Sequence, residues 1–347
     1  MSLSRPNPCQ GRGREFESLR PHHAKTGANA SFFAPLNPVC AIMCYNIYNM
    51  SLKETAFYKV RHYYIQPEAK IKDRVNVAIL GDFHISPIVT GRQNYEAYKR
   101  LIKLEPELIV LQGDLIDSPT EFFDEESVKK LKDTLKMCAR IAPTVMVLGG
   151  HDYIIPIEPA ALMDVIPLWK EICEECKVHL LMDEWYETDT LRVFGFFQDK
   201  DFTIQEDGEL RDNPEVMEKR LADLKLEPEP DKINWFVSHS PSMTRRTKRY
   251  LKNFDVLSFG HTHGGCVPIG LDFIMDKLNL HGGLVSPDKK PFPKVARGAK
   301  QISDDTSMVI NSGMIATHYS AKKPLQYLNM LKKGEITEIV FEPPETA

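Results

Sequence analysis

Two histidines one residue apart, His261 and His263, stand in the run Gly260-His261-Thr262-His263-Gly264-Gly265. Just ahead of them, Asp255–Phe259 reads as a short buried strand. The paired glycines that follow forbid a regular helix and permit backbone angles that other residues resist. Imidazoles at that spacing on a strand end face a common centre only if the backbone turns sharply, which is the geometry of a metal-ligand loop. Taken alone, the pair would be two surface histidines in a glycine-rich turn, and matching residues elsewhere change that reading. Asp82 and His84, Asp114, His151 with Asp152, and His239 each stand at the end of an apolar run as well. In an open α/β sheet, ligands gather at the carboxyl ends of strands, and His/Asp clusters in clefts mark metal or catalytic sites. Carboxylate and imidazole without thiolate suit Mn, Fe or Zn. An Asp able to bridge, with ligands left for both sides, implies two ions about 3.5–4 Å apart, a pair that activates a shared water and polarises a phosphoryl oxygen for in-line displacement.

The elements that must position these residues are legible as short apolar strands alternating with amphipathic helices. Tyr58–Ile65 reads as an edge strand, and Val75–Leu80, Leu108–Leu111 and Thr144–Leu148 as buried ones. Between them, Tyr95, Tyr98, Leu101 and Ile102 share one helical face, and Val128, Leu131, Leu135 and Cys138 another. A helix around 160–176 leads to a strand at Val178–Met182 and a half-exposed strand at Leu191–Phe196. Asn213-Pro214 opens a further helix, with Pro at its first turn. Ile233–Val237 is the strand that ends at His239. The Pro/Gly-rich stretch 266–305 reads as a long loop covering the site, and Met308–Ile310, Ile315–Tyr319 and Ile336–Phe341 as final strands. The pattern implies βαβ units with largely parallel pairing. Residues 1–50 show no apolar periodicity and are expected to be a disordered or spurious extension, with an authentic start at Met43 or Met50. Residues 55–347 then form one domain.

Composition narrows the partners. A net charge of −4 provides no basic field for nucleic acid. The basic run Arg245–Arg249 reads as a solvated helix face. Seven scattered cysteines, with Cys173 and Cys176 unmatched by a second pair, point to reduced thiols and a cytoplasmic location, peripheral membrane association being compatible. No run of about 18 apolar residues is present to form a transmembrane segment.

In order and spacing, Asp82-Phe83-His84, Gly113-Asp114, Gly149-Gly150-His151-Asp152, His239 and Gly260-His261-Thr262-His263 resemble the five blocks of the calcineurin-like metallophosphoesterases. Gly260–Gly265 followed by Pro291-Phe292-Pro293-Lys294 looks most like the bacterial branch typified by YkuE. The resemblance implies an α/β fold, a four-layered α/β/β/α sandwich with mixed sheets and flanking helices. It implies a phosphohydrolase acting on a phosphodiester, phosphomonoester or pyrophosphate bond, the substrate in some members being lipid-linked. By the same resemblance, Asp82, His84 and His263 would hold one divalent ion (Mn, Fe or Zn), Asp114 would bridge it to the second, and a hydroxide shared by the two ions would be the nucleophile. His239 and His261 would hold the second ion. His151 would lie beyond the metals and assist the leaving group, with Asp152 orienting it. One departure stands out: the family ordinarily has Asn at the position of Gly150, ligating the second ion, so that ion is expected to be weakly bound. Gly81 in place of a more usual Ser is a milder change. Two other classes remain open on these residues, a metal-weakened scaffold for protein binding and a nuclease of the same superfamily.

Overall fold

The computed structural model describes residues 58–67, 71–87, 91–153, 164–198, 203–206, 209–224, 226–241, 250–267, 269–278, 280–285, 293–315 and 334–343. The expectations for the N-terminal extension, for Arg245–Arg249 and for residues 316–319 lie outside these. Along the chain the strands are β1 (Tyr58–Ile65), β2 (Val75–Leu80), β3 (Leu108–Leu111), β4 (Thr144–Met146), β5 (His179–Leu180), β6 (Glu184–Glu187), β7 (Leu191–Gly195), β8 (Thr203–Glu206), β9 (Glu209–Asp212), β10 (Ile233–Val237), β11 (Val256–Phe259), β12 (Gly298–Gln301), β13 (Ser307–Ile310) and β14 (Gly334–Phe341). The helices are α1 (Gly91–Leu104), α2 (Glu125–Ile141), α3 (Gly150–Tyr153), α4 (Ile166–Cys176), α5 (Pro214–Asp223) and α6 (Ile269–Lys277).

Two six-stranded mixed sheets result, in the orders β1-β14-β2-β3-β4-β5 and β12-β13-β11-β10-β7-β6, with β8 and β9 forming a separate hairpin. In the first, β2 to β5 run parallel, while β14 enters between β1 and β2, parallel to one and antiparallel to the other. In the second, β7, β10, β11 and β13 run parallel and the edge strands β6 and β12 antiparallel.

Alternation along the strands builds the layers, since successive side chains point to opposite faces. Val77 and Ile79 of β2 and Val110 of β3 meet Val193, Trp235 and Val237 between the two sheets. Their neighbours Ala78, Leu80 and Leu111 turn outward onto Leu101 of α1, Leu135 of α2 and Trp169 of α4. On the far side, Phe194, Phe236 and Phe259 pack with Met217 and Leu221 of α5. The chain is therefore helix on sheet on sheet on helix. The outer helices are defined by local chemistry as well: Asp124 caps α2 by accepting the Ser127 amide at 2.7 Å, and Asn213 precedes Pro214 at the start of α5.

Two expectations change. Leu191–Gly195 is buried on both faces rather than half exposed, because β7 lies inside its sheet with apolar layers above and below. The stretch 266–305 is not wholly irregular: it contains α6 and β12, the latter closing the sheet edge against β13.

Candidate metal centre

The candidate residues stand on the turns leaving β2, β3, β4, β10 and β11. Those turns are sharp in an unusual way. Asp82 (φ 52°), His84 (46°), Asp114 (50°), His261 (66°) and His263 (47°) all adopt the left-handed region. Each such non-glycine residue costs roughly 1–3 kcal/mol and persists only where the surroundings over-determine it. Cross-strand bonds do so here. The Asp82 amide donates to Gly113 O at 3.0 Å, the His84 amide to Asp114 O at 3.0 Å, and the Gly260 amide to His239 O at 2.9 Å. Glycines make the close approach possible: Gly113 (φ 82°) and Gly149 lie backbone against backbone, and a Cβ on Gly149 would stand 2.5 Å from Asp114 N.

Three overlapping groups form. Ligand atoms of Asp82, His84 and His263 lie within 4.8 Å of one another, as do those of His84, Asp114 and His151, and those of Asp114, His239 and His261. Asp114 thus belongs to two groups, and its two oxygens are differentiated. Oδ1 accepts the His151 amide at 2.9 Å, while Oδ2 faces His239 Nε2 at 3.0 Å and His84 Nε2 at 3.8 Å. The imidazoles share one arrangement. His239 Nδ1 meets Gln112 O at 2.7 Å, His263 Nδ1 meets Ile315 O at 2.9 Å, and His84 Nδ1 lies 3.3 Å from Asp117 Oδ1. A ring fixed through Nδ1 by a hydrogen bond, as in His239 and His263, turns Nε2 inward, which is how metal-binding histidines are held, whereas His84 has a charge contact at Nδ1. His151 follows the pattern through Asp117 O at 2.7 Å, its ring edge-on to His84 with centroids 4.6 Å apart.

The electrostatics of this centre call for a cation. Asp82 is fully buried; burial raises its pKa, and Oδ2 has no hydrogen-bond partner. Burial also opposes an imidazolium at His239, yet the adjacent Asp114 outweighs it and lifts the group to about 10. Asp114 itself is held well below the ordinary carboxylate range; burial works against this, and His239 and then His151 overcome it. A proton on His239 occupies the electrostatic role that a cation among these groups would take over. Buried carboxylates and inward-facing imidazoles are the donor set for a divalent transition metal, so the residues present fit such a group.

A model of the calcineurin-like phosphoesterase domain matches residues 75–265. The chain belongs to that family. It is accordingly a metallophosphoesterase, a metal-dependent hydrolase acting on phosphate esters. Among solved structures it is similar to a dimetal phosphatase from Danio rerio, at 10% identity over 70% of this chain and 88% of that one, with a TM-score of 0.41. It is also similar to the nuclease MPE of Pseudomonas putida, at 12% identity over 71% and 80% of the two chains, with a TM-score of 0.29. A comparison with curated proteins gave no match. No helix among the described residues is long and apolar enough to cross a membrane.

Two further positions shape the turn after β4. Gly150 opens α3 and is not among the residues with positive φ. Asp152 uses its carboxylate on backbone: Leu115 N at 2.8 Å, Ile116 N at 3.2 Å and Gly149 N at 2.8 Å. It thereby ties the Asp114 turn to the turn carrying His151. Burial and then the nearby Asp114 push its pKa up to about 7 against those amide donors.

Sequence reasoning passed over the supporting groups. Asp117 touches two of the candidate histidines, and its signal was available, three residues after Asp114 in the same turn. The turn Asn311-Ser312-Gly313 after β13 braces the site from the other sheet. Gly313 (φ 76°) lies so close to Asp82 that a Cβ there would stand 2.8 Å from the Asp82 Cβ. Asn311 Oδ1 accepts the Gly313 amide at 2.7 Å, and Glu335 Oε1 accepts the Ser312 amide at 3.2 Å.

Proposed function

We propose that the chain hydrolyses a phosphomonoester, phosphodiester or pyrophosphate bond at a dinuclear centre. In this reading Asp82, His84 and His263 hold one ion, His239 and His261 the other, and Asp114 bridges. The observation that carries it is the membership of Asp114 in two ligand groups, with the imidazoles around it fixed through Nδ1. When bound, two divalent ions lower the pKa of a water and polarise a phosphoryl oxygen. The protein's own part is orientation and proton supply. His151 is half-buried at the rim of the centre, and although burial opposes its imidazolium, Asp114 and then the Asp117 carbonyl raise its pKa above the ordinary value. Its Nε2, with Nδ1 tied to Asp117 O, is the group suited to pass a proton to the departing oxygen. Asp152 acts through the backbone, keeping that turn seated on the Asp114 turn.

The pairing of β14 with both β1 and β2 supports reading 55–347 as one domain. Gly260–Gly265 and Pro291–Lys294 support a place in the branch typified by YkuE. The test is a comparison of leaving groups after metal stripping and reloading with Mn²⁺. His151→Ala should lower kcat by about 10²–10⁴-fold for esters with a poor leaving group, the range for a positioned acid, and far less for nitrophenyl esters. An equal loss for both classes refutes the proton-donor role, and turnover unaffected by chelation refutes the metal reading.

A further inference from the structure

Alternation along the inner strands calls for apolar residues in the layer between the two sheets. Leu108 and Val110 of β3, Val256 of β11, and Ile233 and Val237 of β10 fill it accordingly. Three positions in the same alternation bring polar groups into it. Gln112 follows Val110 inward, Ser258 follows Val256, and Trp235 places an indole N–H between its two apolar neighbours on β10. All three residues are fully buried. A polar group left unpaired in such a layer costs stability, whereas a paired network fixes one arrangement of the strands that carry it. These groups are paired with one another. Trp235 Nε1 donates to Ser258 Oγ at 2.8 Å. With its amide oxygen turned to Ser258, Gln112 accepts from Ser258 Oγ at 2.8 Å and from Phe259 N at 3.1 Å, and its amide nitrogen donates to Phe259 O at 2.9 Å.

The strands joined in this way are the ones that carry one whole ligand group. Asp114 stands two residues after Gln112, His261 three after Ser258 and His239 four after Trp235. The ligand atoms of Asp114, His239 and His261 lie within 4.8 Å of one another. Asp114 leaves the first sheet and the two histidines leave the second, so the group keeps its shape only if the sheets keep their separation at this end. Gln112 crosses that gap twice. Its side chain grips Phe259, the last residue of β11, and its carbonyl accepts His239 Nδ1 at 2.7 Å. Beside it, the turns after β10 and β11 are tied to each other: Ser238 N donates to Ser258 O at 3.2 Å and Gly260 N to His239 O at 2.9 Å. The group formed by Asp82, His84 and His263 rests on different supports. Gly313 packs against Asp82, and Ile315 O meets His263 Nδ1 at 2.9 Å.

We infer that Gln112, Ser258 and Trp235 are positioning residues, whose buried network sets the reach from Asp114 to His239 and His261 and with it the affinity for the second ion. The inference rests on the dinuclear reading, and its test separates the two. The intact chain is stripped of metal and titrated with Mn²⁺, followed by calorimetry and by paramagnetic resonance, in which two ions sharing a carboxylate give a spin-coupled signal and lone ions do not. Gln112→Met keeps the length of the side chain and removes its amide. It should weaken the second ion by about 10–100-fold, the scale for disturbing a metal's supporting groups, leave the first ion as it was, and move the coupled signal to correspondingly higher Mn²⁺. Ser258→Ala, which removes one hydroxyl from the layer, should act in the same direction by a smaller factor. Val110→Ala, two residues before Gln112 and facing the same layer, is the control for a merely structural effect: it should lower the melting temperature while both ions bind as in the wild type. Wild-type affinity for the second ion in Gln112→Met or Ser258→Ala overturns the inference and leaves the dinuclear reading standing. So does a loss shared equally by both ions, or an equal loss of the second ion in Val110→Ala. A wild type that gives no coupled signal at any Mn²⁺ concentration overturns both.

Discussion

Replacing Gly149 by Ala separates the geometry of the centre from the stability of the fold. Gly149 does not have a positive φ, so the backbone accepts alanine. The obstacle is Asp114: the new Cβ would stand 2.5 Å from its amide nitrogen and 2.8 Å from its Cγ, and nearer still to Oδ1. Carbon atoms settle at roughly 3.5–4.0 Å, so the carboxylate must retreat by about 1 Å or the turn must open. Oδ1 is the oxygen that accepts the His151 amide, so the displacement reaches both the shared carboxylate and the proton donor. A misplacement of about 1 Å at a reacting centre costs about 10²-fold, and that loss is expected in kcat/KM for a generic phosphomonoester. The control is Gly195→Ala, another crowded glycine without positive φ. Its Cβ would meet Leu181, 2.9 Å from Cδ1, and Val147, 3.0 Å from Cγ1, in the apolar layer between the sheets. Overpacking there should cost about 1–3 kcal/mol, while activity per folded molecule and Mn²⁺ affinity are retained. Thermal melts with and without Mn²⁺, calorimetric titration and turnover read both variants. Should Gly149→Ala melt early yet bind metal and turn over like Gly195→Ala, the claim that Asp114 must be held to sub-ångström tolerance is wrong.

Three other outcomes are expected. Gly150→Asn, at a helical position that does not need glycine's freedom, should tighten the second ion by about tenfold, within the roughly 10–100-fold scale of supporting-group changes; two equally tight ions in the wild type contradict this. Asp117→Ala, which removes the carboxylate beside His84 Nδ1, should weaken Mn²⁺ binding by about 10–100-fold in calorimetry with little change in the melt of the metal-free protein. Arg61→Ala should destabilise by an amount near the low end of about 3–5 kcal/mol, because Glu335 beneath the Asn311–Gly313 turn loses its nearer cation at 3.0 Å and keeps Lys59 at 3.4 Å beside the neutral donors Ser312 N and Thr337 Oγ1. Burial alone would raise the Glu335 pKa, but Arg61 and then Lys59 hold it far below the ordinary 4.5. Its contribution is therefore present above the unfolded value and lost as pH falls from there through the lower folded value. The difference between wild type and Arg61→Ala in denaturant melts should shrink as the pH drops below 4.5, and a difference constant with pH contradicts it.

Much of the frame was written locally. β1, β2, β3 and β10 begin and end where their apolar runs do, because each run stops at a Gly, Asp, Ser or Pro-containing turn that cannot extend the ladder. The residues that converge on Asp114 could be read for the same reason, since a polar residue directly after a buried strand has few places to point. What could not be read depends on distant partners. The insertion of β14 between β1 and β2 pairs Val75 with Phe341, and no periodicity records a contact of that separation. The bracing of Asp82 by Gly313 and of Ser312 by Glu335 is of the same kind. Left-handed angles at Asp82, His84, Asp114, His261 and His263 run against local preference and exist only because the neighbouring turn imposes them. α6 was missed because flanking prolines and glycines resemble a loop, and its apolar face, lacking a core to pack on, carried no sign of where it would point.

The central claim, that Asp114 joins two ions held by Asp82, His84 and His263 on one side and His239 and His261 on the other, is tested most directly by anomalous scattering at the manganese edge from crystals grown with Mn²⁺. The account predicts two peaks about 3.5–4 Å apart, with Asp114 between them and the second peak weaker as the metal is diluted. A single peak at every concentration, or two peaks away from these residues in a protein that still turns over, contradicts it.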